Sequence, residues 1–157
     1  MPYTDLLSAS RIVQVVSPGS RDQVLDVAAR LLGGNSPEWT GLIANGLRDR
    51  EAVGSTAIGH GVAIPHCRSD SCSEPLAAFL RLANPIDFNA RDGEPVDLVF
   101  AMAVPGDRTQ HHLDTLSELA GRFADADFRQ AVRHAPDINA LRALLLRSGG
   151  SPAARSA

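Results

Sequence analysis

The residue best placed for chemistry in this 157-residue chain is His66, which follows a glycine-rich turn and a short apolar run. Gly59 and Gly61 allow a tight turn, and the β-branched run from Val62 to Ile64 predicts a short buried strand that stops at Pro65. A strand end beside such a turn is where α/β proteins place reactive groups. A backbone hydrogen bond to one ring nitrogen would leave the other nucleophilic. The alternative is a histidine that is only hydrogen bonded at a strand end.

A second candidate is His112, in the Gln-His-His run that follows the last predicted strand. We expect it in the first turn of a helix, where unbonded N–H groups and the helix dipole favour an anion such as phosphate. The alternative is a solvent-facing histidine, a role that also suits the neighbouring His111. His60 and His134 are interpreted as structural or solvated.

Three polar side chains precede the glycine-rich turn and could bind a phosphoryl group: Arg50, Ser55 and Thr56. A guanidinium matches phosphoryl oxygens bidentately, and hydroxyls can donate to them. Each has an ordinary alternative as well. Arg50 could pair with Asp49 or Glu51 on the surface, and the two hydroxyls could simply cap a turn.

Helical and strand patterns alternate along the chain, which predicts an α/β fold: a single domain with a central mixed β-sheet flanked by helices. Ser20 and Gln23 form a possible capping box at the start of the first helix, and Asp107 or Thr109 is the expected N-cap of the third. Strands are predicted over 11–16, 62–64, 76–82 and 96–104, and helices over 20–32, 37–50, from about 109, 127–134 and 137–147.

Composition narrows the class of function. The formal net charge is −3, all 15 basic residues are arginines without a basic cluster, and aromatic residues are 4% of the chain, so nucleic-acid binding is not expected. No segment approaches the roughly 20 apolar residues of a membrane span, and the N-terminus lacks a secretory pattern. We therefore expect a cytoplasmic protein without membrane insertion.

The expected domain covers residues 1–148, and the tail 149–157 is predicted to be disordered. The two cysteines, Cys67 and Cys72, are too few for a disulfide framework, and their spacing is not that of a usual zinc-ligand pair. They are interpreted as free thiols.

Two stretches resemble a known family. REAVGSTAIGHGVAIPH, residues 50–66, resembles the active-site signature of the type 2 enzyme IIA domains of the phosphoenolpyruvate-dependent phosphotransferase system, the fructose and mannitol class. NPIDFNARDGEPVDLVFAMAVPGDRTQHHLDTLSELAGRF, residues 84–123, resembles the second half of these domains and is most similar to their nitrogen-regulatory branch. The likeness covers about residues 6–146.

The resemblance implies the mannitol/fructose-type enzyme IIA fold and a role for each candidate residue. His66 would be the phosphorylated histidine, which accepts the group from an HPr-like histidine phosphocarrier protein. His112 matches the family's second histidine, Arg50 matches the arginine of its Arg-Glu pair, and Ser55 and Thr56 fall where small hydroxyl residues line the pocket. Because this transfer depends mostly on positioning and electrostatics, neither cofactor nor metal is expected.

The chain departs from the family pattern at Cys67, where glycine is common, and at His60, where a small polar residue is common. An exposed Cys67 thiol would make the site sensitive to oxidation or adventitious metal. The segment SDSCSEP is also atypical where a partner-contacting loop is expected.

Several functions stay open. With no permease, phosphocarrier or enzyme IIB segment in the sequence, a regulatory enzyme IIA with a downstream protein target is favoured over a sugar-transport enzyme IIA that donates to an enzyme IIB. Two alternatives come from other classes. One is a hydrolase with Cys67 as nucleophile and His66 or His112 as base, and the other is a non-covalent anion-binding regulator that uses the Gly59-His60-Gly61 turn.

Overall fold

A computed structural model of the chain describes residues 3–15, 19–69, 74–107 and 109–147, the side chains of residues 109, 111 and 112 excepted. Cys72, most of the SDSCSEP segment and the predicted tail lie outside the described residues. Among the helices within these ranges, none has the length and apolar character needed to cross a membrane.

The centre of the fold is a mixed sheet, as predicted, and it has six strands within the described ranges. The strands are β1 Ile12–Val15, β2 Ala57–Gly59, β3 Val62–Ala63, β4 His66–Arg68, β5 Leu76–Ile86 and β6 Val96–Val104. Their spatial order is β1-β5-β6-β3-β2, with β4 also paired to β6. The β5–β6 and β2–β3 pairs are antiparallel, whereas β1 runs parallel to β5, and both β3 and β4 run parallel to β6.

Five α-helices flank the sheet within the described ranges: α1 Arg21–Gly33, α2 Pro37–Val53, α3 Thr109–Ala124, α4 Ala126–His134 and α5 Ile138–Leu146. The Ser20 half of the predicted capping box is confirmed, since its hydroxyl accepts the Gln23 N–H at 3.2 Å. α2 extends three residues beyond the predicted end at Arg50 and stops before Gly54. Its last turn therefore contains Arg50 and Glu51.

Both faces of the central strands are buried, which explains why β5 and β6 are apolar at nearly every position. Alternate residues contribute to two cores. Phe79 and Phe100 pack on one side with Phe123 of α3. Leu80 and Val99 pack on the other side with residues of α1 and α2. The sheet is thus a rigid layer between two groups of helices.

The predicted strand 62–64 is wrong in its end and in the position it gives to His66. β3 ends at Ala63, and pairing with β6 resumes in β4, where His66 lies opposite Met102. Pro65 has no N–H to donate, but its carbonyl accepts the Met102 N–H at 2.9 Å. The proline therefore interrupts the strand at Ile64 and Pro65, and His66 begins a second short strand.

The turn between β2 and β3 is fixed by side chains from two other segments. Gly61 has φ 78°, and the preceding His60 also has a left-handed φ of 58°. Asp92 accepts the His60 N–H at 2.9 Å, and Arg133 of α4 donates to the His60 carbonyl. Arg133 also pairs with Asp97 at 2.9 Å. The backbone that leads to His66 is therefore attached to α4 and to the loop before β6.

Replacing Gly61 tests this attachment. An added Cβ would lie 2.5 Å from Arg133 Nη2 and 2.9 Å from Asp97 Oδ1, at a φ that L-residues rarely adopt. We expect Gly61→Ala to lower the free energy of unfolding by about 1–3 kcal/mol in urea denaturation.

Two glycines provide matched controls. Gly93 also has a positive φ, 74°, but an added Cβ there has no neighbour within 4 Å, so Gly93→Ala should cost less, about 1 kcal/mol. Gly41 lies in α2 with open space around it, so Gly41→Ala should be neutral or stabilising, by up to about 1 kcal/mol. Equal losses for Gly61→Ala and Gly93→Ala would show that the contacts with Arg133 and Asp97 contribute nothing.

Candidate active site

Four of the side chains singled out in the sequence converge on one cavity of about 320 Å³. The end of α2, the segment before β2, the start of β4 and the middle of α3 form its walls. The lining residues are Arg50, Ser55, Thr56, Ala57, Ile58, Ile64, His66, Leu116, Ser117 and Ala120. A larger cleft of about 810 Å³ shares Ser55, Ala57 and Ile58, but His66 is not among the residues that line it. The smaller cavity therefore contains the histidine with the candidate chemistry.

The ring of His66 is half-buried and held by the backbone. Its Nδ1 lies 2.8 Å from the Ile64 carbonyl oxygen, which can only accept, so Nδ1 carries the proton in the neutral ring. Nε2 then has the lone pair. The predicted backbone hydrogen bond to one ring nitrogen is therefore present, and that nitrogen is Nδ1.

The electrostatic environment of His66 favours its neutral form. Burial of the ring lowers the pKa of His66 below its ordinary value, and the positive charges of Arg50 and Arg68 act in the same direction. The Ile64 hydrogen bond and the negative charge of Glu51 oppose this shift in pKa without reversing it. The ring of His66 is therefore mostly neutral at neutral pH.

Arg50 lies on the cavity wall, and its guanidinium is anchored to the backbone. Its Nη1 donates to the Gly54 carbonyl at 2.7 Å. The alternative of a surface ion pair with Asp49 or Glu51 is not observed in the described part of the chain. A guanidinium has five N–H donors, so this one contact leaves others for an anion in the cavity.

The two hydroxyl groups lie on the cavity wall, but each donates its proton to another protein group. Ser55 Oγ donates to the Phe88 carbonyl and accepts the Ala57 N–H at 3.1 Å. Thr56 Oγ1 donates to Glu51 Oε1 at 2.6 Å. A hydroxyl has a single proton. To donate to a phosphoryl oxygen, either side chain would have to exchange its present partner.

Glu51 was not proposed as a site residue from the sequence. It is buried, with 4% exposure, and both carboxylate oxygens bind Thr56: Oε1 its hydroxyl and Oε2 its N–H, the latter at 2.9 Å. One sequence signal could have identified it. Glu51 continues the four-residue spacing of Ile43 and Leu47, so it is a charged residue on the buried face of α2.

The structure places His112 in the first turn of α3, as predicted, and describes the backbone there but not the side chain. Leu116, four residues later and so on the same side of the helix, lines the cavity. The middle of α3 thus lies beside His66, and the role of His112 stays a prediction.

The remaining candidates lie away from the cavity. His60 and His134 are exposed, which agrees with their interpretation as solvated residues. Cys67 is 6% exposed and packs against α2, where a Cβ on Gly46 would lie 3.0 Å from its own Cβ. The Cys67 thiol is therefore not exposed, as the expected sensitivity to oxidation would require. Among the described residues, no group of three or more His, Cys, Asp or Glu side chains could hold a metal ion.

Comparison with known proteins identifies the class of protein to which this fold and site belong. The family model "Phosphoenolpyruvate-dependent sugar phosphotransferase system, EIIA 2" matches residues 5–148. The chain belongs to this family and is a phosphotransfer component of the type 2 enzyme IIA kind. The resemblance of residues 50–66 and 84–123 to type 2 enzyme IIA domains is thereby confirmed.

Within the family, the similarity to nitrogen regulatory proteins is extensive. That of Pseudomonas aeruginosa is 42% identical over 137 residues, which are 87% of this chain and 89% of the relative. The crystal structure of the nitrogen regulatory protein IIA-Ntr from Neisseria meningitidis superposes with a TM-score of 0.83 at 36% identity and covers 90% of this chain and 97% of that one. The predicted likeness to the nitrogen-regulatory branch is confirmed.

Sugar-specific relatives are present as well. The fructose-specific EIIA component of Haloferax volcanii is 38% identical over 89 residues, 57% of this chain and 58% of that protein. Enzyme IIA of the mannitol system of Escherichia coli, solved in complex with phosphorylated enzyme IIB, superposes with a TM-score of 0.70 at 18% identity and covers 88% of this chain and 96% of that one. The latter comparison shows the fold alone, and it confirms the mannitol-type architecture.

A pH titration of His66 tests the environment of its ring. Because burial and the two arginines lower its pKa, we expect the midpoint of its imidazole resonances to lie below the ordinary value of 6.5, with His66→Ala used for assignment. Between the lowered pKa of His66 in the folded protein and its ordinary value in the unfolded chain, the unfolded chain binds more protons. The free energy of unfolding should therefore fall as the pH drops below 6.5. A midpoint at or above 6.5 would contradict the described environment.

Proposed function

We propose that the chain accepts a phosphoryl group on Nε2 of His66 from a phosphorylated histidine carrier protein of the HPr type and then passes it to a downstream protein. The observation that carries the proposal is the hydrogen bond of 2.8 Å between His66 Nδ1 and the Ile64 carbonyl, within a cavity that Arg50 also lines. Membership in the phosphotransferase family supports the reaction class.

The proposed step balances without an added reactant. The Nε2 lone pair of His66 forms the new N–P bond while the N–P bond of the donor histidine breaks and returns its electron pair to the donor nitrogen. Nδ1 keeps its proton and its bond to Ile64. The His66 ring therefore gains positive charge as the donor ring loses it, and the step can run in either direction.

Charge stabilisation is assigned to Arg50 and His112. The guanidinium of Arg50 is fixed at the cavity wall by Gly54 and has further N–H groups to offer the equatorial phosphoryl oxygens. His112 lies in the first turn of α3, where the helix dipole favours an anion. Ser55 and Thr56 shape the wall and would contribute hydrogen bonds only after exchanging partners.

We favour a regulatory role downstream, because the nitrogen regulatory relatives match over most of their length. A phosphoryl group on His66 would add charge and acceptor oxygens at one surface, which is enough to create or abolish a docking site. The second candidate is donation to an enzyme IIB of a sugar system. The mannitol enzyme IIA with the same fold was solved with such a partner.

Phosphorylation can be tested by incubating the protein with phosphoenolpyruvate, enzyme I and a histidine phosphocarrier, followed by intact mass measurement. We expect a single phosphoryl adduct, labile in acid and stable in base, that is lost completely in His66→Ala. His134→Ala, a histidine exposed on α4, is the matched control and should be labelled normally. An adduct that persists in His66→Ala, or that never forms in the wild type, would contradict the proposal.

Variants of the flanking residues should slow transfer without removing the acceptor. Arg50→Lys keeps the positive charge but loses the planar guanidinium that can bind two phosphoryl oxygens at once. We therefore expect phosphoryl acceptance to be slower by roughly 10²-fold in rapid-quench measurements. His112→Ala should be milder, slowing transfer or trapping the phosphorylated state. Wild-type rates in both variants would exclude a role of these residues in charge stabilisation.

A further inference from the structure

We propose that Glu51 is a positioning residue for phosphoryl transfer: its buried carboxylate holds His66 through a chain of hydrogen bonds that runs along the backbone of Thr56 and Ile64. The inference rests on the proposed function, which it deepens by naming the group that orients and polarises the nucleophile from behind.

The chain has three links, each of ordinary hydrogen-bond length. Glu51 Oε2 accepts the Thr56 N–H at 2.9 Å, and the Thr56 carbonyl accepts the Ile64 N–H at 3.0 Å. The Ile64 carbonyl in turn accepts the proton of His66 Nδ1 at 2.8 Å. Every donor in the chain is on the His66 side of its acceptor, so the three links together fix the position of the ring relative to the carboxylate.

The placement of Glu51 is hard to explain by stability alone. The side chain is 4% exposed, and in the described part of the chain no cation lies within ion-pair distance of it. Burying a carboxylate is costly, and an apolar residue would continue the face formed by Ile43 and Leu47 of the same helix. Its two hydrogen bonds both go to Thr56, whose carbonyl binds the N–H of Ile64, the residue that holds the His66 ring.

The last turn of α2 also holds the segment from Gly54 to Thr56, which precedes β2. Arg50 binds the Gly54 carbonyl, and the next residue, Glu51, binds the N–H and the hydroxyl of Thr56. This segment forms one wall of the cavity. A shift of the carboxylate would therefore move the wall and the Ile64 carbonyl together.

The charge of Glu51 is matched to the charge that the reaction creates. When Nε2 forms its bond to phosphorus, the His66 ring becomes cationic and its Nδ1–H becomes a stronger donor to Ile64. The negative charge of Glu51 favours that state through space. It favours the protonated ring in the same way, since it acts to raise the pKa of His66 against the effect of burial.

Glu51→Gln tests the proposal because glutamine keeps the size of the side chain but removes its charge and one acceptor. We expect phosphoryl acceptance from the phosphorylated carrier to be slower by about tenfold or more. The NMR titration midpoint of His66 should move to lower pH, a change that a purely structural role of Glu51 would not produce. A folded Glu51→Gln protein with wild-type rate and midpoint would overturn the proposal.

Two further variants separate the charge from the hydroxyl. Thr56→Val removes the hydroxyl but keeps the carboxylate and the backbone links, so the His66 midpoint should stay at its wild-type pH. Glu38→Gln makes the same substitution in the first turn of α2 at an exposed position, and both rate and midpoint should match the wild type. A shifted midpoint in Thr56→Val equal to that in Glu51→Gln would count against the backbone chain.

The wild-type protein supplies a measurement that does not depend on the stability of a variant. Phosphorylation of His66 should move the amide proton resonances of Thr56 and Ile64 downfield, with those of Glu38 unchanged. Unmoved resonances in a fully phosphorylated sample would overturn the proposal. If the wild type is never labelled, the proposed function fails, while the midpoints of the Glu51 and Thr56 variants still decide whether the chain couples carboxylate and ring.

Discussion

The chemistry of this site depends on the hydrogen bond between His66 Nδ1 and the carbonyl of Ile64. It sets the tautomer, and so decides which nitrogen has a lone pair. The bond exists because Pro65 interrupts the pairing with β6 between β3 and β4. Ile64 is thereby left outside both strands, with its N–H bound to Thr56 and its carbonyl available to the ring. One proline thus determines the orientation of the His66 ring.

That interruption is tolerated because the sheet around it is held from both faces. β6 pairs with β5 over most of its length and supports β3 and β4 on its other edge, while phenylalanines and leucines fill the space toward the helices. Such interiors are close-packed and resist displacement. The two residues that leave the ladder therefore have little freedom, although they are not part of a strand.

Much of this structure was predictable from local sequence signals. The Ser20 cap, the apolar periodicity of α1 and the long apolar runs of β5 and β6 depend on near neighbours, and the prediction of each was correct in type. The partners of the hydroxyls were not predictable, since the Ser55 hydroxyl donates to Phe88, 33 residues away along the chain. β4 likewise depends on a pairing with β6 that only the assembled sheet creates, whereas Glu51 contacts the nearby Thr56 and its place on the buried face of α2 could have been predicted.

The hydrogen bonds of the hydroxyl groups bear on what a phosphoryl carrier requires. A carrier has to release the group that it accepts, so tight binding of the phosphorylated state would slow the second half of its work. The protons of Ser55 and Thr56 are directed to Phe88 and Glu51 rather than into the cavity. In the proposed transfer, the main partners of a phosphoryl group on His66 are Arg50 and the predicted His112 rather than the two hydroxyls. In that proposal, Arg50 and Glu51 stabilise the charge on the phosphoryl group and the ring, while the two hydroxyls do not hold the phosphate and so do not slow its release.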